Sequence, residues 1–542
     1  MNSMKSRQMR TFFPLRRIAA ATVPLALAAC TLEPTYQRPD QPVPNAWPTG
    51  PAYAQGTGAQ AQAQGQGQGQ QTPARTQTET QTPAASLGWE DFFTDARLRR
   101  LIELSLANNR DLRMATLAID QARAQYRIQR AAQFPSINAS AGMVASRVPG
   151  TLRAPGQPSV LHAYTAGVGF NAFELDVFGR VRSLKHEALE QYLAVQEVRR
   201  SAQISLVAEV ASAYLTLQAD KELLKISQET FDVQQSAVQM VERSKRAGGM
   251  AQIDMHRAQT QLETARVGVE QYTRQVAQDE NALAVLVGTQ LPEDLPPPQP
   301  FENTSFVAEL PAGLPSALLE QRPDIMAAEH QLKAANADIG AARAAFFPSI
   351  SLTAAIGVAS AALSGLFSGG MAWAFAPSIT MPIFNGGANQ ARLDASRVQK
   401  DINVAAYEKT IQQAFREVAD GLAARGTYDR EAAAQETLAR EIGETRRLSE
   451  MRFRNGVDDY FPVFDAQRQL YSAQQSLVTI RLARLTSRVD LYKALGGGWS
   501  QRTATADTSA PQSAPQSAPR SAPQSATPVA AGVTVGTGTA SR

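Results

Sequence analysis

The chain has 542 residues, a formal net charge of +4 and one cysteine, Cys30. The first 29 residues carry five basic and no acidic side chains, so the remainder has a net charge of −1. The charge of the remainder therefore does not indicate nucleic-acid binding. A single cysteine also excludes an intrachain disulfide.

The N-terminal segment has the pattern of a secretory signal peptide, which we assign to residues 1–29. Basic residues precede an apolar run at 18–29 that is too short for a stable membrane span. The run ends in Leu-Ala-Ala before Cys30, which resembles a bacterial lipobox, although a buried cysteine without lipid is the alternative. Thr31 stands where an aspartate would favour the inner membrane. By this resemblance we expect diacylglycerol and N-palmitoyl groups on Cys30, an outer-membrane location and no other cofactor.

Two segments of low complexity flank the rest of the chain. Residues 30–86 start at the lipid-bearing cysteine and continue, over 52–85, as a stretch of mostly Ala, Gln, Gly, Thr and Pro. Residues 500–542 repeat Ser-Ala-Pro. Such compositions bury too little apolar surface to offset the entropy of ordering, so we predict a disordered tether and a disordered tail.

An internal duplication divides the chain between these segments into repeats at 87–300 and 301–499. The sequence Phe-Pro-Ser-Ile occurs at 134–137 and again at 347–350. In each repeat the pattern predicts a helix, two strands, a very long helix, a turn and a further helix.

The predicted strands follow the Phe-Pro signals, at about 135–148, 160–178, 347–361 and 370–384. From Ile350 to Val358 apolar residues alternate with small or polar ones, as in a strand with one apolar face. A transmembrane helix is the alternative, since residues 344–391 contain no charged side chain. The prolines and the two-residue alternation favour lipid-facing strands instead.

Long helices are the third predicted element. No proline occurs between residues 181 and 245, and a helix of that length measures roughly 100 Å. Apolar residues recur every seven positions, which predicts coiled-coil packing. These positions are Leu262, Val269, Val276 and Leu283, and Phe464, Tyr471, Val478, Leu485 and Tyr492. A cytosolic coiled-coil scaffold would explain the helices but neither the lipobox nor the strands.

Four strands cannot close a barrel, and an open sheet edge in a bilayer leaves backbone groups unpaired. We therefore expect the strands to combine with those of other copies. Two copies would give eight strands and a filled barrel, whereas three would give twelve strands and a wider lumen.

Together these features resemble the TolC-like outer-membrane factors, most closely the OprM-type lipoprotein branch that serves resistance-nodulation-division efflux systems. The resemblance rests on the lipobox, the repeated Phe-Pro-Ser-Ile, Phe-Asn-Gly-Gly at 384–387 and Asp-Ala-Gln at 465–467, and it covers about residues 87–499. It implies a mixed fold of α-helices and membrane β-strands. Three chains would form a twelve-stranded β-barrel, continued by a coiled-coil periplasmic tunnel of twelve helices that is closed at its inner end.

By this resemblance, the chain is the passive outer-membrane channel subunit of a tripartite efflux pump for drugs and other small molecules. The expected partners are two further copies, a periplasmic membrane-fusion adaptor, an inner-membrane resistance-nodulation-division pump and outer-membrane lipid, with no nucleic acid. The duct of a protein secretion system and a non-transporting periplasmic scaffold are the alternatives.

No motif in the sequence predicts catalysis or a metal site. His162, His186, His256 and His330 are isolated and lack the spacing of metal ligands. No nucleophile elbow or phosphate loop is found, so we predict that the chain is not an enzyme.

The closed end of the tunnel is the predicted functional site. Its two turns, which hold Gly248 and Gly249 in one repeat and Asn455 and Gly456 in the other, are expected to contact the adaptor. By the resemblance, the gate residues beside the turns are Asp254, Arg452, Phe453, Phe461, Asp465 and Arg468. A ring of acids bonded to arginines and a ring of Phe461 would close the bore. The alternative is that these are ordinary solvated charges at helix ends.

Asp465 and Arg468 are three residues apart and therefore share one helix face. Heptad packing commits another face to neighbouring helices. We expect Asp465 or Arg468 to bond across helices with arginines such as Arg452 in the closed state.

Overall fold

The computed structural model describes residues 31–53, 84–303, 306, 310, 315–368 and 370–503. The predicted signal peptide, Cys30, most of the predicted tether and nearly all of the predicted tail lie outside these residues.

The helices of the described chain follow the predicted order in both repeats. They are α1 (Trp89–Phe92), α2 (Ala96–Asn108), α3 (Arg110–Ala131), α4 (Arg180–Arg246), α5 (Gln252–Val287), α6 (Leu318–Gln321), α7 (Pro323–Ala344), α8 (Ala388–Arg454) and α9 (Phe461–Ala494). The long helices α4 and α8 have 67 residues each, which makes each about 100 Å long. After each long helix the chain reverses and the next helix packs back along it, so α4–α5 and α8–α9 are two antiparallel hairpins.

The predicted heptad positions lie in the contacts between these helices. Leu283, Val478, Leu485 and Tyr492 are buried, and Leu262, Val269 and Val276 are half-buried. α9 contacts α4 as well as α8, and α7 packs against both α4 and α8. The coiled-coil prediction is confirmed, and the two hairpins form one continuous helical body.

One antiparallel sheet contains β1 (Asn138–Arg147), β2 (Val160–Leu175), β3 (Ser349–Ser360) and β4 (Met371–Thr380), in that order. Each strand lies inside its predicted range. The register aligns apolar residues of neighbouring strands, for example Val168 with Ile356 and Ile356 with Trp373. Trp373 is 76% exposed, so the apolar face is open in the single chain, and β1 and β4 are the two edges.

The main apolar core lies where the two repeats meet. The rings of Phe92 and Tyr492 stack with 4.0 Å between their centroids, and Phe306 lies 5.3 Å from Phe92 on a parallel plane. Tyr492 lies near the end of α9 in the second repeat and Phe92 lies near the start of the first repeat, so this stack joins the two repeats. No helix in the described ranges is both long and apolar enough to cross a membrane.

Residues 31–53, which we call the N-terminal strap, lie against the helical body. Strap residues meet residues of α7 in reverse order: Leu32 with Arg343, Pro34 with Asn336, and Arg38 with Glu329. Farther along, Trp47 stacks on Phe415 of α8 at 5.0 Å. The strap therefore runs antiparallel to α7, and its first residue lies at the end of α7 that leads into β3.

Candidate functional site

The two hairpin turns have the same backbone structure. The amide of Gly249 donates to the carbonyl five residues earlier over 2.9 Å, and the amide of Val457 does the same over 3.0 Å. These are Schellman motifs, in which the residue after the helix adopts a left-handed conformation. That residue is Gly248 (φ 81°) in one turn and Gly456 (φ 71°) in the other, where a Cβ would be strained. Asn455 closes α8 by donating from its side chain to a carbonyl of the last turn.

An apolar cluster lies directly behind the turns. Its buried members are Ala237, Val241, Ala258, Tyr460, Val463 and Phe464. The ring of Phe453 packs edge-on against Tyr460 at 4.7 Å, and Tyr460 packs edge-on against Phe464 at 4.4 Å. The structure therefore places Phe453, a predicted gate residue, in the apolar support that holds both hairpins together.

The second turn is bridged by an ion pair that sequence reasoning missed. Arg452 donates to both carboxylate oxygens of Asp458, over 2.5 and 2.9 Å. These hydrogen bonds hold the pKa of Asp458 below its ordinary value. Asp458 lies six residues beyond Arg452, and only the reversal of the chain at Gly456 brings the two together.

Asp465 and Arg468 share a helix face, and their side chains are bonded to each other. Arg468 donates to Asp465 over 2.8 Å, and Gln469 donates to the other carboxylate oxygen over 2.6 Å. Arg468, with help from Gln469, lowers the pKa of Asp465. Because Arg452 is bonded to the nearer Asp458, the chain does not form the expected bond from Arg452 to Asp465. That bond stays a prediction for neighbouring copies.

Phe461 and Asp254 are connected through Arg257, a residue that the sequence analysis did not identify. The guanidinium carbon of Arg257 lies 5.2 Å from the centre of the Phe461 ring and a guanidinium nitrogen lies 3.5 Å from an Asp254 oxygen. The ring of Phe461 is 53% exposed. The i,i+3 spacing of Asp254 and Arg257 was the available signal.

Four of the six predicted gate residues thus lie close together at the tip. Arg257, Phe461, Asp465 and Arg468 line a groove of about 290 Å³ between α5 and α9, and Asp254 holds Arg257 at its edge. The groove combines an exposed aromatic ring with fixed charges of both signs. Such a surface can bind a protein partner or, in several copies around an axis, narrow a pore.

Comparison with known proteins identifies the family. The family model described as "Outer membrane efflux protein" matches residues 101–289 and 314–497. The chain is 48% identical to the probable efflux pump outer membrane protein TtgC of Pseudomonas putida, over 91% of this chain and 98% of TtgC. It is 42% identical to the outer membrane protein OprJ of Pseudomonas aeruginosa, over 90% of this chain and 97% of OprJ.

Solved structures agree with these relatives. The MtrE outer membrane channel of Neisseria gonorrhoeae, in its open state, matches with a TM-score of 0.76 and 37% identity, over 88% of this chain and all of MtrE. A membrane protein from Pseudomonas aeruginosa matches with a TM-score of 0.76 and 41% identity, over 86% of this chain and all of that protein. The predicted fold class, outer-membrane location and efflux function are confirmed, in preference to secretion or a scaffold. The chain therefore belongs to the outer membrane efflux protein family and is the outer-membrane channel subunit of a tripartite efflux pump.

Proposed function

We propose that three copies of this channel form one passive duct with a gate at the hairpin tip. The duct would consist of a twelve-stranded barrel in the outer membrane and a twelve-helix tunnel in the periplasm. A periplasmic membrane-fusion adaptor would bind at the two turns, and an inner-membrane resistance-nodulation-division pump would supply the substrates. The channel would carry out no catalysis. Lipid groups on Cys30 would attach it to the membrane at a second point, in addition to the barrel.

The open sheet carries this proposal. β1 and β4 are both edge strands, and each unpaired backbone group in hydrocarbon costs several kcal/mol. A single chain has no further strand to cover these edges within its described sheet. Pairing β4 of one copy with β1 of the next removes every edge, and three copies give twelve strands.

The duplication also predicts the register of that pairing. β1 corresponds to β3 with an offset of 213 residues, because the Phe-Pro-Ser-Ile motif recurs at that spacing. The observed pairs Asn138–Gly169 and Ser351–Ser378 then make β2 correspond to β4 with an offset of 209. Within the chain Ala166 of β2 faces Val358 of β3. With these offsets, the residue of β4 that corresponds to Ala166 is Phe375, and the residue of β1 that corresponds to Val358 is Ala145. The same pairing between copies therefore places Phe375 of one copy opposite Ala145 of the next.

A disulfide test distinguishes this register from others. The double variant Ala145→Cys/Phe375→Cys should form covalent trimers under mild oxidation, whereas each single variant should not. The matched control Ala145→Cys/Ile379→Cys shifts one cysteine by four residues on the same face, about 13 Å along the strand, and should not cross-link. Trimers that cross-link equally in both pairs, or in neither, would reject the proposed closure.

The anchor is supported by the path of the strap. Because the strap runs antiparallel to α7, its start lies beside the base of β3, where the sheet meets the helices. Cys30 is the next residue beyond the described chain. A lipid attached there would enter the same membrane as the sheet.

Transport itself is tested in cells. Deleting the gene should raise the intracellular retention of dyes and antibiotics, and the wild-type gene should restore efflux. A deletion strain that loses only a secreted polypeptide, with dye efflux intact, would contradict small-molecule transport.

A further inference from the structure

One face of α3 and one face of α8 expose large apolar side chains. Met114, Leu117 and Ile128 lie on one face of α3, and Val398 and Ile402 lie on one face of α8. Each of the five is more than half exposed in the single chain. Neither helix is part of the sheet, so membrane lipid does not account for these faces. Exposed apolar surface of this kind indicates a binding surface.

The duplication shows what covers the equivalent face of α7. With the offset of 213 residues, the three apolar residues of α3 correspond to residues of α7, namely Ala327, His330 and Ala341. Ala327 and Ala341 are buried. α7 packs against α4 of the other repeat as well as α8 of its own, whereas α3 packs against α4 of its own repeat. The exposed face of α3 is therefore equivalent to the face with which α7 contacts the other repeat.

The exposed face of α8 has a buried equivalent in the same way. α4 and α8 have 67 residues each and begin 208 positions apart. With that offset Val398 corresponds to Glu190 of α4, and Ile402 corresponds to Ala194. Both residues of α4 are buried where α7 covers the helix. The exposed faces of α3 and α8 are thus equivalent to two faces that bind each other within the chain.

The two exposed faces also match each other in chemistry. Within the chain, His330 Nδ1 of α7 lies 2.6 Å from the carboxylate of Glu190 on α4. The equivalent residues on the exposed faces are Leu117 and Val398, so a polar pair is replaced by an apolar pair at both positions. Replacement of only one member would leave the other polar group without a partner. The paired change is what contact between the two faces requires.

A second contact shows how the exposed faces can meet without a strap. A Cβ on Gly340 of α7 would lie 2.6 Å from Ser183 Oγ on α4 and 2.9 Å from the Cα atom of Glu33 in the strap. Gly340 therefore leaves room for the strap beside the two helices. The equivalent residues are Arg127 of α3 and Ala391 of α8. A long side chain beside a small one would fill the space that the strap takes within the chain.

We propose that the exposed faces of α3 and α8 bind each other between neighbouring copies of the channel. Leu117 of one copy packs against Val398 of the next, and Arg127 packs against Ala391. This α3–α8 contact rests on the proposed trimer and extends the closure of the sheet into the periplasm. The direction is the same in both, because β1 and α3 belong to the first repeat, and β4 and α8 belong to the second.

Cysteine pairs in the purified full-length channel test the register of the α3–α8 contact. The matched pairs Leu117→Cys/Val398→Cys and Arg127→Cys/Ala391→Cys should both give covalent trimers under mild oxidation. The swapped pairs Leu117→Cys/Ala391→Cys and Arg127→Cys/Val398→Cys use the same four positions but shift one partner by about 10 Å along α8. The swapped pairs should run as monomers on a denaturing gel, as should the wild-type chain with Cys30 alone.

The outcome distinguishes the α3–α8 contact from the trimer itself. Covalent trimers from Ala145→Cys/Phe375→Cys, with none from either matched helical pair, would overturn the α3–α8 contact and leave the trimer in place. Equal cross-linking of matched and swapped pairs would also overturn the α3–α8 contact. A purified channel that is not trimeric by native mass spectrometry would overturn both proposals.

Charge substitution tests the pairing of Leu117 with Val398 independently. Val398→Glu gives α8 the carboxylate that α4 has at Glu190, and between copies it would face Leu117. The trimer should then half-dissociate at a roughly tenfold higher concentration, as it should in Leu117→Lys. Leu117→Lys/Val398→Glu should recover most of that loss. Because both side chains are exposed in the single chain, the unfolding temperature of the protomer should not change. A double variant as weak as the two single effects combined would overturn the pairing.

Discussion

Phe178, at the exit from β2, stacks on Phe347, at the entry to β3, with 4.8 Å between ring centroids. The chain leaves β4 at Ile383-Phe384 as it leaves β2 at Val177-Phe178, with an offset of 206 that is three residues shorter than the offset within these strands. Phe134 corresponds to Phe347 through the repeated Phe-Pro-Ser-Ile motif. The rings of Phe384 and Phe134 are 91% and 65% exposed in the single chain. The same stacking contact is therefore made once within the chain and is available once more between copies.

We expect Phe384→Ala to weaken the trimer without unfolding the protomer. Aromatic pairs contribute about 0.5–1.5 kcal/mol each beyond the area they bury, and a trimer would contain three of them. Native mass spectrometry at decreasing concentration should show earlier dissociation than in wild type. Phe178→Ala, the matched variant, should instead lower the unfolding temperature of the protomer. A Phe384→Ala trimer as persistent as wild type would contradict the contact.

A carboxyl pair between α4 and α5 should make stability depend on pH. Burial raises the pKa of Asp220 to about 7, and Asp279 acts in the same direction through a hydrogen bond and charge repulsion. Since the folded state holds this proton more tightly than the unfolded chain, stability should increase as pH falls from about 7 towards 4. After allowance for solvent screening, the difference is about 1–2 kcal/mol.

Asp220→Asn should remove this dependence and raise the unfolding temperature at pH 8. Thermal unfolding measured from pH 5 to 8.5 provides the comparison. Asp232→Asn, which changes an exposed aspartate on the same helix, should keep the wild-type profile. Equal pH profiles for wild type and Asp220→Asn would show that the pair has no such effect.

Lipidation is predicted at Cys30 from the lipobox that ends there and from Thr31 after it. The strap, which starts beside the base of the sheet, supports this prediction. Labelled palmitate should enter the wild-type chain and be absent from Cys30→Ser. Cleavage should leave Cys30 as the first residue of the mature protein. A mature chain that starts at another residue would disprove the assignment.

The sequence predicted those features that depend on local periodicity. The alternation from Ile350 to Val358 and the heptads around Leu283 encode faces that must be buried or lipid-exposed, so both elements could be placed before the fold was known. Gly248 and Gly456 were identifiable because helix ends require a residue that tolerates positive φ.

Contacts that depend on how distant elements pack were not predictable in this way. The expectation that the histidines are isolated is wrong for His186 and His330, which lie 3.4 and 2.6 Å from the carboxylate of Glu190. They meet there only because α7 packs against α4, and no sequence spacing records this. The strap was grouped with the tether because its contacts, such as Arg38 with Glu329, join residues 291 positions apart. At the tip, Arg452 was expected to bond across helices. The turn at Gly456 instead brings Asp458 within hydrogen-bond distance of Arg452.

The gate is tested most directly by single-channel conductance of the purified trimer in planar bilayers. Asp465→Ala/Arg468→Ala removes a charged pair from each copy at the tip, and we predict a conductance well above that of wild type. The control Asp394→Ala/Arg397→Ala removes a similar i,i+3 pair near the start of α8, where the two groups lie 3.3 Å apart, and should leave conductance unchanged. An intact trimer of the Asp465→Ala/Arg468→Ala variant with wild-type conductance would contradict a gate at the hairpin tip.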